Sequence, residues 1–227
     1  MPGVGHEDVV DVVLEGVVET MRPHLRGRVH QVACVVSVAG LVWLVRSASS
    51  PRAVVAAWIY GVAGVLLYLT SSSYHVFARS PRARRVMQRA DHSMIFVLIA
   101  GTFTPICVLA LGGPWRWLLL AAMWVAAVGG VAIKLLAMDR FPRFGNALYI
   151  VLGWAGLSAL PGLIHRPGTL ALIAGGGLLY TGGAVLFFLN RPKLSPTWFG
   201  YHEVWHVCGV AAGVLLFVVN LDLVRSG

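Results

Sequence analysis

The chain has 227 residues, of which 58% are hydrophobic and 12% charged, with a mean hydropathy of +0.77. Soluble domains carry about 25% charged residues, so this much apolar surface excludes a water-soluble fold and predicts an integral protein of the cell membrane. The net charge of +9 is expected to sit on cytoplasmic loops against anionic lipid; with no basic patch interleaved with exposed aromatics, nucleic-acid binding is excluded.

Residues 6–21 place Val9, Val10, Val13, Leu14, Val17 and Val18 at helical spacing, with Asp8, Asp11, Glu15 and Glu19 on the other face. This predicts a cytoplasmic amphipathic segment over 1–21, ahead of a membrane domain over 22–227. Acidic residues fit poorly against anionic lipid, so the segment is expected to be a solvated leader packed on the bundle. It lacks a basic stretch running into an apolar core, and no cleaved signal peptide is expected.

Arg22 to Arg28 are basic and interrupted by Pro23 and Gly27, and a first apolar segment runs from about 29 to 45. A short turn containing Pro51 leads to a second segment, about 53–75, which ends in the polar patch Thr70-Ser-Ser-Ser-Tyr-His75. A basic loop with Arg79, Arg82, Arg84, Arg85 and Arg89 follows. The third segment, about 90–111, opens with Asp91-His92 and is expected to kink at Gly101-Thr-Phe-Thr-Pro105. The fourth spans about 115–138 and the fifth about 145–164, with Pro161 near its end. The sixth, about 168–189, carries Gly175, Gly176, Gly177, Gly182 and Gly183, small residues that let helices approach closely in lipid. The seventh runs from about 199 to 221. Each has the length a bilayer requires, and backbone polar groups in lipid must be satisfied within helices. The prediction is an all-α bundle of seven transmembrane helices.

Tryptophans near segment ends (Trp43, Trp58, Trp115, Trp117, Trp198) fit interfacial belts. Cys34, Cys107 and Cys208 fall inside apolar segments without CxxC spacing and read as packing residues. All Lys and Arg residues except Arg46, Arg52, Arg116, Arg166 and Arg225 fall on the side of the N-terminus and the second, fourth and sixth loops. The positive-inside rule then places the N-terminus in the cytoplasm and the C-terminus outside.

This topology gathers chemistry at one end. His202 and His206 are four residues apart, one turn above each other on one helical face. His75 ends the second segment, and Asp91 and His92 open the third, at the same cytoplasmic depth. Of nine carboxylates, five precede the first segment, Asp139 is in a loop and Asp222 is at the far end. Asp91 and Glu203 alone stand at cytoplasmic ends of spans, each beside a histidine. Individually, His75 and Asp91 read as helix-end residues that complement the dipole; their coincidence in one layer points to a metal.

Neutral imidazoles suit zinc, and catalytic zinc sites keep three protein ligands and an open position. The expected ligands are His75, His202 and His206. Asp91 is the expected proton acceptor for a zinc-activated water. Ser71, one turn before His75 on the same face, is expected to orient a ligand or hold that water. His92 points about 100° from Asp91 and reads as structural. His6, His24, His30 and His165 have no partner nameable from sequence. Cys208, ~200° around the helix from His206, is a poor fourth ligand.

Several motifs, in order, resemble the hemolysin III family, the bacterial branch of the progestin and adiponectin receptor (PAQR) proteins. They are Ser71-Ser-Ser-Tyr-His75, Asp91-His92, Ile99-Ala-Gly-Thr-Phe-Thr-Pro105, Gly176-Gly-Leu-Leu-Tyr-Thr-Gly-Gly-Ala184, Asn190-Arg-Pro192 and Gly200-Tyr-His-Glu-Val-Trp-His206. The resemblance covers about 22–221. It implies a seven-helix bundle with a cytoplasmic-side zinc held at the positions of His75, His202 and His206, with Ser71 and Asp91 adjacent. The wider superfamily includes alkaline ceramidases, and bacterial members are linked with haemolysis and membrane-fluidity homeostasis. One departure is Leu216, where relatives are expected to carry a histidine; it lies deep in the seventh segment, away from the expected zinc.

The leading expectation is therefore a membrane zinc protein that hydrolyses a lipid amide or ester, or serves membrane-lipid homeostasis, with membrane lipids as partners. Two alternatives stand beside it. The string His202-Glu203-Val-Trp-His206 is HExxH, which in metalloproteases supplies two ligands and a glutamate base; His75 and Asp91 already fill the third-ligand and base roles, so Glu203 is expected to face the headgroups. A non-enzymatic pore needs polar stripes along several spans, whereas polar residues here concentrate at one end.

Overall fold

The computed structural model describes residues 23–140, 142–195 and 197–227; the amphipathic helix expected over 6–21 lies outside them. The elements are α1 (Arg28–Ser47), α2 (Pro51–Phe77) and α3 (Pro81–Pro105), the last continued by a π-helical turn, Ile106–Ala110. Then come α4 (Gly113–Ala137), α5 (Pro142–Trp154), a 3₁₀ turn (Ala155–Ala159), the single turn α6 (Leu160–Leu163), α7 (Pro167–Phe188) and α8 (Tyr201–Ser226). Among the described residues the only strand-like pairing is the isolated bridge Ser195–Phe199.

Six helical runs, α1 to α4, α7 and α8, are long and apolar enough to cross a membrane; the seventh apolar run, Ala147–Leu163, is shorter. The molecule is an all-α, multi-pass integral membrane protein. Its outer surface is apolar: Leu136, Val35 and Val125 are 83%, 74% and 72% exposed, as a helix facing lipid requires.

Two boundaries differ from the sequence expectation. The expected basic loop after the second segment is mostly helix. Ser80 accepts from the Ala83 N–H at 3.2 Å and Pro81 takes the first turn, a cap followed by proline. Helix α2 starts the same way, with Ser50 accepting from Ala53 N–H at 3.1 Å. Asp91 therefore sits ten residues into α3, about 15 Å from its start, rather than at its N-terminus.

The fifth segment is not one helix. It breaks at Trp154, where Gly153, Gly156 and Pro161 weaken helical hydrogen bonding. The Phe103 ring lies against Gly156 where a side chain would stand. Trp115 Nε1 donates to the Ser158 carbonyl at 3.1 Å, satisfying a backbone group at the break. The kink expected near Pro105 takes the form of the π-helical turn, since proline cannot donate to the preceding turn.

The bundle packs α2 between α1 and α3, α3 against α4, and α8 along α7 and α1. Phe96, Ile106, Met123, Leu163, Val219 and Leu223 form the main core. Glycines in α7 let α8 lie close, as expected from small residues in lipid: a methyl at Gly183 would stand 2.8 Å from the Cys208 Cβ. At the end remote from His75, Arg166 pairs with Asp222 at 3.2 Å and Ser49 N–H donates to the Val224 carbonyl at 2.9 Å.

Candidate metal centre

His75 comes from the last turns of α2, and His202 and His206 from the first two turns of α8. The two helices are in contact, and the end of that contact nearest His75 carries the three imidazoles. The α8 start is fixed by Glu203, whose Oε2 accepts from the Gly200 N–H at 2.7 Å, one arm of a capping box. Glu203 Oε1 accepts from Arg26 Nε. Glu203 is 1% exposed, so it does not face headgroups as expected. Its carboxylate is buried, ion-paired and taken up at both oxygens.

Arg26 reaches Glu203 from a strap before α1. His24 N–H donates to the Thr197 carbonyl at 2.8 Å and Leu25 N–H to that of Trp198 at 3.3 Å, which ties residues 23–27 to the loop leading into α8. Gly27 has φ +79°, a left-handed conformation natural to glycine. A methyl there would lie 2.6 Å from the His75 Cβ, so the strap rests directly on a candidate ligand.

The donor atoms of His75, His202 and His206 all lie within 4.8 Å of one another. The Nε2 atoms of His75 and His202 are 3.2 Å apart. Two nitrogens each about 2.05 Å from a tetrahedral zinc stand roughly 3.3 Å apart, so this pair already has the spacing of shared coordination. Three imidazoles converging from two helices fit a divalent metal of zinc's preference.

The remaining expected residues are nearby. Ser71 is 2% exposed, one turn below His75 on α2, and its side chain neighbours that of Asp91 on α3. The His92 carbonyl accepts from the Tyr149 hydroxyl at 2.9 Å, and its Nδ1 is buried without a hydrogen-bond partner.

His30 is the residue that sequence reasoning missed. It is 7% exposed, and its ring stacks on His206 at 3.9 Å between centroids with planes 12° apart. The Tyr68 ring meets it edge-on at 5.2 Å. Its Nδ1 is buried without a hydrogen-bond partner. The signal was present: His30 opens the first segment at the end where His75, Asp91 and His202 lie. His24 also has a partner, the Trp198 ring at 4.9 Å. On the outer side, Phe187 packs edge-on to His202 at 5.2 Å.

Comparison with known proteins follows the same layout. A family model described as haemolysin-III related matches residues 18–217. Hemolysin-3 of Bacillus cereus is 33% identical over 193 residues, 83% of this chain and 85% of that protein. The hemolysin-3 homolog of Bacillus subtilis (strain 168) is 30% identical over 197 residues, 84% and 89% of the two chains. The monocyte to macrophage differentiation factor of Homo sapiens is 25% identical over 181 residues, 76% and 72%.

Proposed function

Since the chain belongs to the haemolysin-III-related family, the hemolysin III branch of the PAQR proteins, we propose that it is a zinc-dependent hydrolase of a lipid amide or ester. The observation that carries this reading is the convergence of three imidazoles, with Ser71 one turn before His75 and Asp91 next to Ser71. His75, His202 and His206 would hold the metal. When bound, zinc supplies Lewis-acid polarisation and makes water more acidic.

The protein's own residues account for the rest. The Asp91 carboxylate takes the proton of a water as its oxygen attacks the substrate carbonyl carbon. It then returns that proton to the amide nitrogen or ester oxygen as the acyl bond breaks. Ser71, beside Asp91, would orient that carboxylate toward the water. Glu203 is the weaker candidate for a base, because Arg26 and the Gly200 N–H already engage both its oxygens. Entry of substrate from the cytoplasmic leaflet follows from the positive-inside orientation.

The test is hydrolysis of a fluorescent lipid amide of the ceramide type by purified protein in phosphatidylcholine vesicles. Asp91→Asn is expected to lower turnover about 10²–10⁴-fold, the usual contribution of a general base, with metal retained. Glu203→Gln is expected to keep most turnover. A greater loss for Glu203→Gln would assign the base to Glu203 and favour a protease-like site; no turnover by the unaltered protein would contradict the hydrolase reading.

A further inference from the structure

The strap over α2 borders a second feature. A cavity of about 490 Å³ lies between residues 23–28 and the end of α2, lined by His24, Arg26, Arg28, His75 and Arg79 among others, with no carboxylate among the described residues of its wall. Small-molecule sites commonly occupy ~300–1,000 Å³. Of the three guanidinium groups, Arg26 is neutralised by Glu203. Arg28 donates to the uncharged Gln31 side chain at 2.7 Å. Among the described residues, two positive charges in the wall, Arg28 and Arg79, therefore have no carboxylate beside them there.

Like charges gathered around one void repel, and a bound anion offsets that repulsion. Guanidinium groups match phosphate oxygens in a bidentate fork. His75 forms part of the wall, so an anion here would lie next to the three-histidine cluster. We propose that this cavity binds a phosphate group, free or carried on a lipid headgroup, beside His75. The site is read by binding alone and does not depend on the hydrolase reading.

The full-length protein in phosphatidylcholine nanodiscs is titrated with inorganic phosphate by calorimetry. In a second arm the nanodiscs contain phosphatidic acid, and native mass spectrometry counts the lipids retained. Arg28→Gln with Arg79→Gln is compared with Arg82→Gln with Arg85→Gln, which removes the same charge from the exposed start of α3 outside the cavity. Loss of a charge-assisted hydrogen bond costs about 1.5–3 kcal/mol, so the first pair is expected to weaken binding about tenfold or more, and the second to change it little. Binding of inorganic phosphate supports a free-anion site; retention of phosphatidic acid alone supports a headgroup site. Binding of neither probe, or equal weakening by both variant pairs, overturns the proposal.

Discussion

Glu203 shows how one residue can look catalytic in sequence and prove to be held in place. Within HExxH spacing it reads as a protease base, yet Arg26 and the Gly200 N–H take its oxygens in a site where it is 1% exposed. Glu203→Ala leaves a partly buried guanidinium group and a helix-start N–H without an acceptor, at a cost of about 2–3 kcal/mol. Thermal unfolding in detergent is expected to fall by roughly 5–10 °C, and Glu203→Gln, which can still accept from Gly200, by less. An unchanged midpoint for Glu203→Ala would contradict the positioning role. His75, His202 and His206 were legible because helical period and span direction set depth. Arg26 was not: its partnership depends on a strap whose fold leaves no periodic trace. His30 was legible by the same depth argument, but its stack on His206 depends on how α1 packs against α8, which no spacing encodes.

At the level of elements, the strap and α2 are coupled through Gly27. Its φ of +79° and its contact with His75 mean that Gly27→Ala meets both backbone strain, about 1–2 kcal/mol, and a clash with a candidate ligand. Zinc affinity is expected to fall about 10–100-fold, as for other groups that support ligands. A competition titration against a chelator reads this; an unchanged affinity would show that the strap does not position His75. The number and order of apolar segments could be read from the sequence because each is a long run with polar breaks. Where α3 begins was harder to read, because the arginines after Arg79 resemble a loop while Ser80-Pro81 is a helix start. The break of the fifth segment was hidden because an apolar run looks alike whether it is one helix or three pieces. The decisive contact, Phe103 against Gly156, is tertiary.

On the scale of the whole molecule, the exterior is apolar and the three histidines gather at one end, whereas a pore needs polar residues along several spans. Reconstituted vesicles loaded with dye are therefore expected to leak no faster than protein-free vesicles; leakage that persists after zinc removal would favour the pore reading. The distribution of arginines predicts that the N-terminus faces the cytoplasm, so a reporter fused there is expected to read cytoplasmic in intact cells, and an external reading would overturn that orientation. The central claim is that three imidazoles from α2 and α8 form one metal site, and its most direct test is the zinc content of purified protein by elemental mass spectrometry. The account predicts about one zinc per chain, lost in large part in His75→Ala, His202→Ala and His206→Ala and kept in His165→Ala. Zinc content in His202→Ala equal to that of the unaltered protein would contradict it.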